Sequence, residues 1–382
     1  MKGWIYAPLL AVLFSTSPVS ARIEIGSDFS HIPQQQAAEA WPVSVPLSPP
    51  DGLRPCCAFG YRLKTQLLGV PVPFYRINNV AETDNLGRHN YNDSHWNSLL
   101  ALSGLGKEHN GIVYTLRGGF IDTAHIRDSA DMTFWLFSQL YPRLGTAFTL
   151  SPGEEELAKR QVVFRAFTPP KDPAQAYTLA VWIAATIAYD IAAWHEVAQW
   201  YGFESIPGFS EGISAFSPED LYSNMVGARL AATLLLTGHG YSKRGFNLAM
   251  TTILPQALHR LGAVSASQTR FHFDMVDKLW WDSSKAVPEK FLLLKRNYLT
   301  GNDRVPTPVP GEPEASLPLT FPASYAGEQI NSLAELRLLP GKSMVRLPAP
   351  ETFYRWQDFP ALADAAQKSD QRQLQKNSVG KR

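Results

Sequence analysis

The segment from His195 to Gln199, His-Glu-Val-Ala-Gln, contains residue types that could bind a metal ion and use it in catalysis. In zinc proteases, two histidines one helical turn apart bind the metal, and a glutamate beside the first histidine serves as general base. Gln199, a poor zinc ligand, occupies the position of the second histidine, so the segment does not match a standard zinc protease. His195 is still a candidate metal ligand and Glu196 a candidate catalytic base. The alternative is that both are satisfied polar groups that anchor loops.

A second histidine, His125, stands among acidic residues between Asp122 and Asp131. His125 and Asp128 are three residues apart, so they would share one face of a helix, which suits a metal ion. An exposed helix stabilised by ion pairs would show the same spacing. Because two segments each carry a histidine beside acids, we predict that His125 and His195 meet in one pocket.

Other polar residues could complete this pocket as ligands or substrate contacts. Glu219 is a candidate third metal ligand, although Ser217 to Asp220 also has the composition of a helix start, where acids favour the positive end of the helix dipole. Glu211 lies in a loop, where solvation alone would explain a carboxylate. The cofactor would be a divalent metal such as zinc. The candidate substrate-binding residues are Arg117, Asp128, Glu211 and Asn224.

The element that would present His195 and Glu196 is a long helix predicted from Asp172 to Gly202. Asp172 can cap its first turn and Gly202 can end it in a left-handed conformation. Residues 179–189 are almost entirely apolar, so this helix should be buried on all sides. The apolar run is shorter than the ~20 residues that span a bilayer, which favours a core helix over a membrane helix.

The remaining patterns predict a mainly α fold with a few short strands, in which other helices surround the buried central helix. Hydrophobic periodicity, caps and glycines indicate these elements. They are a strand over Gly111–Arg117, a helix from Thr123 to about Tyr141 capped by Asp122, a strand over Gln161–Phe167, a helix from Ser217 to about Thr237 stopped by Gly238, a helix over Lys243–Leu261 kinked or split by Pro255, and a closing strand over Phe291–Tyr298.

The N-terminus has the pattern of a secretory signal peptide. Lys2 precedes an apolar run over Trp4–Phe14, and Val19-Ser-Ala21 is a small-residue cleavage site. We therefore expect export to the periplasm with cleavage near Ala21, and a mature chain without a transmembrane anchor. The mature chain would contain an irregular lead-in over residues 22–52, one globular domain over 53–300, and a Pro-rich extension with a disordered tail over 301–382.

The net charge limits the classes of partner that the chain could bind, and the two cysteines limit the disulfides that it could form. Without Lys2, the 34 remaining basic residues equal the 34 acidic ones, so the mature chain carries no formal net charge. This excludes the basic surplus expected of a nucleic-acid or anionic-membrane binder. Cys56 and Cys57 are adjacent, and a disulfide between neighbours would be strained. Two buried thiols, a strained redox pair and an intermolecular bond all stay open.

The sequence contains four long motifs, which are Arg54–Gly60, Asn110–Asp128, Trp194–Gly202 and Ser214–Asn224. Through these motifs the chain resembles the bacterial domain-of-unknown-function family 4056 over roughly residues 54–300. The family usually has Thr at the position of Gln199 and Cys at that of Leu116, and the resemblance implies no established reaction or substrate.

Together these observations favour an exported metal-dependent hydrolase of the cell envelope, acting on an unknown small-molecule or envelope substrate. The first alternative is a non-catalytic binding or structural protein of the envelope, in which the same residues form a buried His/Glu/Asp network that fixes helix packing. The second is hydrolysis without a metal, in which the acids and histidines act on a glycoside or acyl substrate.

Overall fold

The computed structural model describes residues 36–50, 54, 58–67, 69–93, 107–152, 156–204, 210–312, 316–342 and 344–379. The predicted signal peptide and both cysteines lie outside these residues. The fold is mixed α/β and largely helical, with 42% helix and 17% strand. The expectation of a mainly α chain is therefore too coarse, because short sheets pack around the helices throughout the described part.

The helices of the described part mostly begin and end where caps and glycines indicate. Asp172 caps the longest one by accepting a hydrogen bond of 2.9 Å from the Ala174 N–H, and Gly202 follows its end with a φ of +108°. The helices are α1 (Thr123–Leu140), α2 (Pro173–Trp200), α3 (Asp220–Leu236), α4 (Lys243–Arg260), α5 (Ala266–Met275), α6 (Ile330–Leu333) and α7 (Phe359–Val379).

The strands form small sheets, mostly antiparallel. Their orders are β2-β1-β7, β12-β6-β5, β3-β4, β8-β9 and β10-β11. The strands are β1 (Leu63–Leu67), β2 (Val70–Ile77), β3 (Ile112–Thr115), β4 (Gly119–Asp122), β5 (Phe148–Leu150), β6 (Ala158–Phe164), β7 (Ala286–Val287), β8 (Asp303–Arg304), β9 (Leu319–Thr320), β10 (Ser324–Tyr325), β11 (Glu328–Gln329) and β12 (Ala334–Pro340).

Helix α2 runs through the interior, and 22 of its 28 residues are buried. By length and composition it could cross a membrane, but 89% of its apolar window is buried inside the protein. Helices α1 and α3 both pack against it, and α7 and strand β12 contact it as well. The core of the protein therefore supplies the apolar surroundings that the α2 sequence requires.

Helices α1 and α3 touch each other through their backbones. A Cβ atom at Gly227 of α3 would lie 2.0 Å from the carbonyl oxygen of Ile126 in α1. Side chains of α3 reinforce this approach, because Ser223 Oγ accepts a 2.9 Å hydrogen bond from the Asp122 N–H and Asn224 Nδ2 donates one of 2.9 Å to Ser129 Oγ. The N-terminal turns of α1 and α3 are thereby held side by side.

Three local expectations are corrected. Helix α4 is continuous through Pro255, since the turns around it remain packed through buried residues such as Ile253 and Leu258. Within the expected closing strand over 291–298, the chain has no strand hydrogen-bonding pattern beyond a single bridge at Leu293. The tail expected to be disordered from Gln367 onward is helical as far as Val379, because it continues helix α7. The first turns of α7 are held to the protein by an apolar stripe at helical spacing. The stripe consists of the buried residues Phe359, Leu362, Ala363 and Ala366.

Candidate metal centre

Asp122, His125 and Asp220 form a group that could hold a metal ion. One ligand atom from each lies within 4.8 Å of the others, and all three residues are buried. The His125 Nε2 atom is 3.4 Å from Asp220 Oδ1. Two carboxylates and one imidazole are a donor set that divalent metals such as zinc or manganese accept. The group is thus suited to a divalent cation.

Two helix starts build this group. Asp122 is the N-cap of α1, and its Oδ1 accepts a 2.7 Å hydrogen bond from the Ala124 N–H. His125 is one turn further along α1, so its side chain lies on the same side as the cap. Asp220 is the first residue of α3, the helix that contacts α1 through Gly227. The cap and the close helix approach therefore bring the three side chains together.

Glu196 and Glu219 extend the group with two more buried carboxylates. Glu196 Oε2 accepts a 2.6 Å hydrogen bond from the Phe216 N–H, and Glu219 Oε2 accepts one of 2.6 Å from the Ser217 hydroxyl. Within the described part, the Oε1 atoms of both glutamates and both oxygens of Asp220 lack a hydrogen bond. Apart from the 3.4 Å contact of His125 Nε2 with Asp220 Oδ1, these buried acceptors have no donor in the described part, which is costly unless a cation or a proton balances them.

The acids affect one another's ionisation. Burial raises the pKa of Asp220 well above its usual range, and the charges of Glu196 and Glu219 add to the effect. Burial also raises the pKa of Glu219 to about 8, against the opposing hydrogen bond from Ser217. Burial raises the pKa of Glu196 too, although His125 and His195 oppose this shift. Glu196 therefore lies within electrostatic range of both histidines.

His195 is paired with a carboxylate that the sequence did not indicate. Its Nδ1 atom is 3.3 Å from Glu156 Oε1, and Arg160 Nη1 is 3.1 Å from the same oxygen. Trp194 Nε1 donates to the Glu156 carbonyl at 2.9 Å, which attaches this segment to α2. Carboxylates often orient metal-binding histidines in this way. The three-residue group close enough to share one ion contains His125 but neither His195 nor Glu219.

The predicted substrate-binding residues have different partners and positions. Asp128 is ion-paired to Arg54 at 2.7 Å. Glu211 Oε2 accepts a 3.2 Å hydrogen bond from Gln199 Nε2, close to the end of α2. Arg117 is half-buried in the turn after β3. Asn224 donates to Ser129, so it joins α1 to α3 beside the candidate metal centre.

Arg54 lies at the centre of a separate buried ion-pair network. Its guanidinium contacts Glu108 at 2.5 Å, Asp128 at 2.7 Å and Asp131 at 3.0 Å. His89 Nε2 is 2.9 Å from the other Asp131 oxygen. Burial raises the pKa of Asp128 to about 6 even though Arg54 opposes the shift. Asp128 and Asp131 thus belong mainly to a network that fixes Arg54 to α1.

The sequence carries a partial signal for Asp122 and Asp220. It predicts Asp122 as a helix cap, and a cap three residues before a histidine can also contribute a ligand atom. It predicts Asp220 as a helix-dipole residue. Nothing in the sequence indicated Glu156, because a loop carboxylate acquires a partner only through tertiary packing.

Replacing Glu156 with glutamine should flatten the alkaline pH dependence of stability. Burial alone would lower the pKa of His195, but Glu156 raises it from 6.5 to about 9. The His195 imidazole therefore binds its proton more tightly in the folded state than in the unfolded state. Its contribution, up to about 3 kcal/mol, is therefore complete below pH 6.5 and disappears as the pH rises through about 9.

Urea unfolding between pH 6 and 9.5, in chelator, would measure this effect. Acids distant from His195 titrate equally in wild type and variant and cancel in the difference. His195→Asn should give the same flattened profile as Glu156→Gln. If stability changes with pH in the same way in wild type and in both variants, His195 and Glu156 do not form an ion pair.

The fold and this site define a largely helical protein with a buried Asp/His/Asp group that could bind a metal ion. The chain belongs to the family described as Protein of unknown function (DUF4056), whose model matches residues 44–310. This confirms the resemblance carried by the four sequence motifs. No curated protein and no solved structure matches the chain.

Proposed function

We propose that this protein is an exported, metal-dependent hydrolase of the cell envelope. Asp122, His125 and Asp220 would hold a divalent cation, and Glu196 would accept the proton of the attacking water and pass it to the leaving group. The observation that supports this most strongly is the convergence of three ligand atoms within 4.8 Å in a buried site. The N-terminal signal-peptide pattern supports the location.

The chemistry of the neighbouring groups is consistent with this assignment. A cation bound to the three residues would polarise a water molecule or a substrate carbonyl or phosphoryl oxygen. Glu196 has an Oε1 atom without a hydrogen-bond donor in the described part, so it is available to accept a proton. The Phe216 N–H fixes its other oxygen and hence its orientation.

A non-catalytic role is the second candidate, and the depth of burial favours it. Glu196 and Asp220 are 0% exposed, and His125 is 6% exposed. In such a protein the same residues would form a polar network, with or without a cation, that fixes how α1, α2 and α3 pack. Asp220 is buried in both roles. The roles differ in whether Glu196 accepts a proton or only takes part in the polar network.

Metal content and the behaviour of Glu196→Gln together separate these candidates, because the structural role is compatible with a bound cation. Protein purified without a His-tag should contain stoichiometric metal, and chelator should lower its melting temperature because binding stabilises the folded state. His125→Ala and Asp220→Asn should lose the metal. Glu196→Gln should keep it, while turnover on a panel of chromogenic esters, phosphoesters and amides falls by ~10² or more.

Asp303→Asn is a matched control, because Asp303 is an exposed acid outside the site. It should change neither metal content nor melting. Wild-type protein that carries no stoichiometric metal and melts identically with and without chelator would exclude the hydrolase proposed here. Bound metal with no hydrolysis, together with a Glu196→Gln variant destabilised by about 1–3 kcal/mol, would favour the structural role.

A further inference from the structure

Asp370 places a buried carboxylate on the apolar stripe of helix α7. It lies four residues after Ala366, so it continues the same face of the helix, and it is 3% exposed. A buried carboxylate is costly unless charged or polar partners compensate it. An apolar residue would pack α7 against the protein at a lower cost, so the partners of Asp370 indicate its role.

Four side chains contact the Asp370 carboxylate. The Trp200 indole N–H and the Tyr298 hydroxyl donate hydrogen bonds of 3.0 and 2.7 Å to Oδ2. Lys290 Nζ lies 2.5 Å from Oδ1, and Arg296 Nε lies 3.5 Å from Oδ2. Trp200 ends helix α2, and the other three stand close together in a later segment of the chain. Asp370 therefore joins this segment to α2.

Arg296 extends the contact to a further loop. Its two Nη atoms donate to the carbonyl oxygen of Ala215 and, at 3.0 Å, to that of Gly212. Because a guanidinium is planar and its donors have fixed directions, holding Nε also sets the direction of the Nη donors. The contact with Asp370 thus helps to fix the backbone over residues 212–215.

Phe216, the next residue of this loop, has a strained backbone. Its φ is +58°, in the left-handed region that a residue other than glycine adopts only when its surroundings enforce it. The Asn297 N–H donates to the Phe216 carbonyl at 2.8 Å, and the rings of Tyr298 and Phe216 lie 5.0 Å apart. In this conformation the Phe216 N–H donates to Glu196 Oε2 at 2.6 Å. Tyr298, which binds Asp370, therefore supports the geometry that orients Glu196.

We propose that Asp370 is a positioning residue for Glu196. By holding Arg296 and Tyr298, it keeps the Phe216 N–H directed at one Glu196 oxygen and leaves the other oxygen to accept a proton. This inference rests on the proposed function for the role of Glu196 as proton acceptor. The hydrogen bond between Phe216 and Glu196 is measurable whether or not the protein is a hydrolase.

The position of α7 gives the proposal a consequence for the extent of the site. The family model matches residues 44–310, which include Asp122, His125 and Asp220. Residue 370 lies beyond that segment. The C-terminal extension would therefore complete a site whose proposed ligands all lie within the family segment.

Hydrogen exchange of the Phe216 amide tests the proposal in the full chain. After ¹⁵N-phenylalanine labelling, its NMR signal is identified by its loss in Phe216→Leu. In wild type it should be protected and shifted downfield, because it donates to a carboxylate, and Glu196→Gln should move it upfield. Asp370→Asn should accelerate its exchange about tenfold more than that of the buried Phe137 amide, which reports global unfolding. Asp364→Asn, which removes an exposed charge from α7, should behave like wild type.

Two results would overturn the proposal. Equal acceleration of the Phe216 and Phe137 amides in Asp370→Asn would mean that Asp370 serves stability alone. An unprotected Phe216 amide in wild type would mean that the loop is not fixed. If Asp370→Asn fails to fold, Tyr298→Phe removes one hydrogen bond of Asp370 and keeps the ring. It should still accelerate exchange at Phe216 about threefold more than at Phe137, and equal rates would contradict the proposal.

Turnover separates this proposal from the proposed function. If the protein is a hydrolase, Asp370→Asn should lower kcat and leave KM nearly unchanged, because it disturbs Glu196 and not substrate binding. An unchanged kcat would contradict the positioning role. Absence of hydrolysis in wild type would overturn the proposed function, while the exchange of the Phe216 amide would still decide whether Asp370 positions Glu196.

Discussion

Replacing Arg54 with methionine is expected to lower the free energy of unfolding by about 3–5 kcal/mol. The Arg54 side chain is 2% exposed and contacts the carboxylates of Glu108, Asp128 and Asp131. Methionine keeps most of the apolar stem but removes the charge. Among the described residues, the buried Asp131 and the half-buried Glu108 and Asp128 would keep two basic partners. These are Arg127, whose Nη1 lies 3.4 Å from Glu108, and the His89 ring beside Asp131.

The pH dependence of this loss identifies its cause. Burial would raise the pKa of Glu108, but Arg54 and Arg127 hold it well below its ordinary value of 4.5. An acid with a lowered pKa stabilises the fold above its ordinary value and loses that contribution as the pH falls. The difference between wild type and Arg54→Met should therefore be largest near pH 7 and shrink below pH 4.5.

Urea unfolding at pH 7 and pH 4 would measure the stability lost in Arg54→Met and the change of this loss with pH. Arg88→Met is the matched control, since Arg88 is exposed, and it should change stability by less than about 0.5 kcal/mol. If Arg54→Met lowers the free energy of unfolding no more than Arg88→Met does, the Arg54 ion-pair network contributes little to stability and does not fix Arg54 to α1.

Replacing Gly227 with alanine is expected to cost about 3 kcal/mol or more, at the upper end of the range for overpacked cores. The added Cβ would lie 2.0 Å from the Ile126 carbonyl oxygen, which is backbone and cannot rotate away. Helices α1 and α3 would have to separate. Because His125 and Asp220 lie at the starts of these helices, the variant should also bind metal more weakly.

Gly301→Ala provides the control for this change. No atom lies within 4 Å of a Cβ at Gly301, so the substitution should have no effect or stabilise by up to about 1 kcal/mol. Thermal melts and metal titration of both variants are the measurements. Wild-type stability in Gly227→Ala would mean that the two helix backbones are not in contact in solution.

The sequence predicted the long elements well because their signals are local. Helix α2 has a cap at Asp172, an apolar interior and a glycine after its end, and each signal acts within a few residues. Helix α1, capped by Asp122, was predicted for the same reason. The apolar residues over 291–298 suit a strand. The segment instead uses backbone N–H groups and Arg296 in tertiary contacts, since Leu294 N–H donates to the Trp280 carbonyl and Arg296 to that of Gly212.

The candidate site was only partly predictable, since its geometry depends on how close two helices come. The types and positions of His125 and Glu196 could be recognised from the sequence. The pairing of His125 with Asp220 could not, because it requires the contact at Gly227, 101 residues from Ile126 along the chain. The partner of His195 was equally hidden, as Glu156 belongs to a short loop with no regular pattern.

The sheet that joins β6 to β12 has a consequence for the order of folding. Each residue from Ala158 to Phe164 pairs with one between Ala334 and Pro340, so the register spans well over a hundred intervening residues. Closing such a loop is entropically expensive and slow, and it cannot begin until the C-terminal part has been synthesised. The segment matched by the family ends at residue 310, before β12 and α7. A nascent chain therefore lacks this sheet, and the β12 contact with α2, until residues 334–340 have been synthesised.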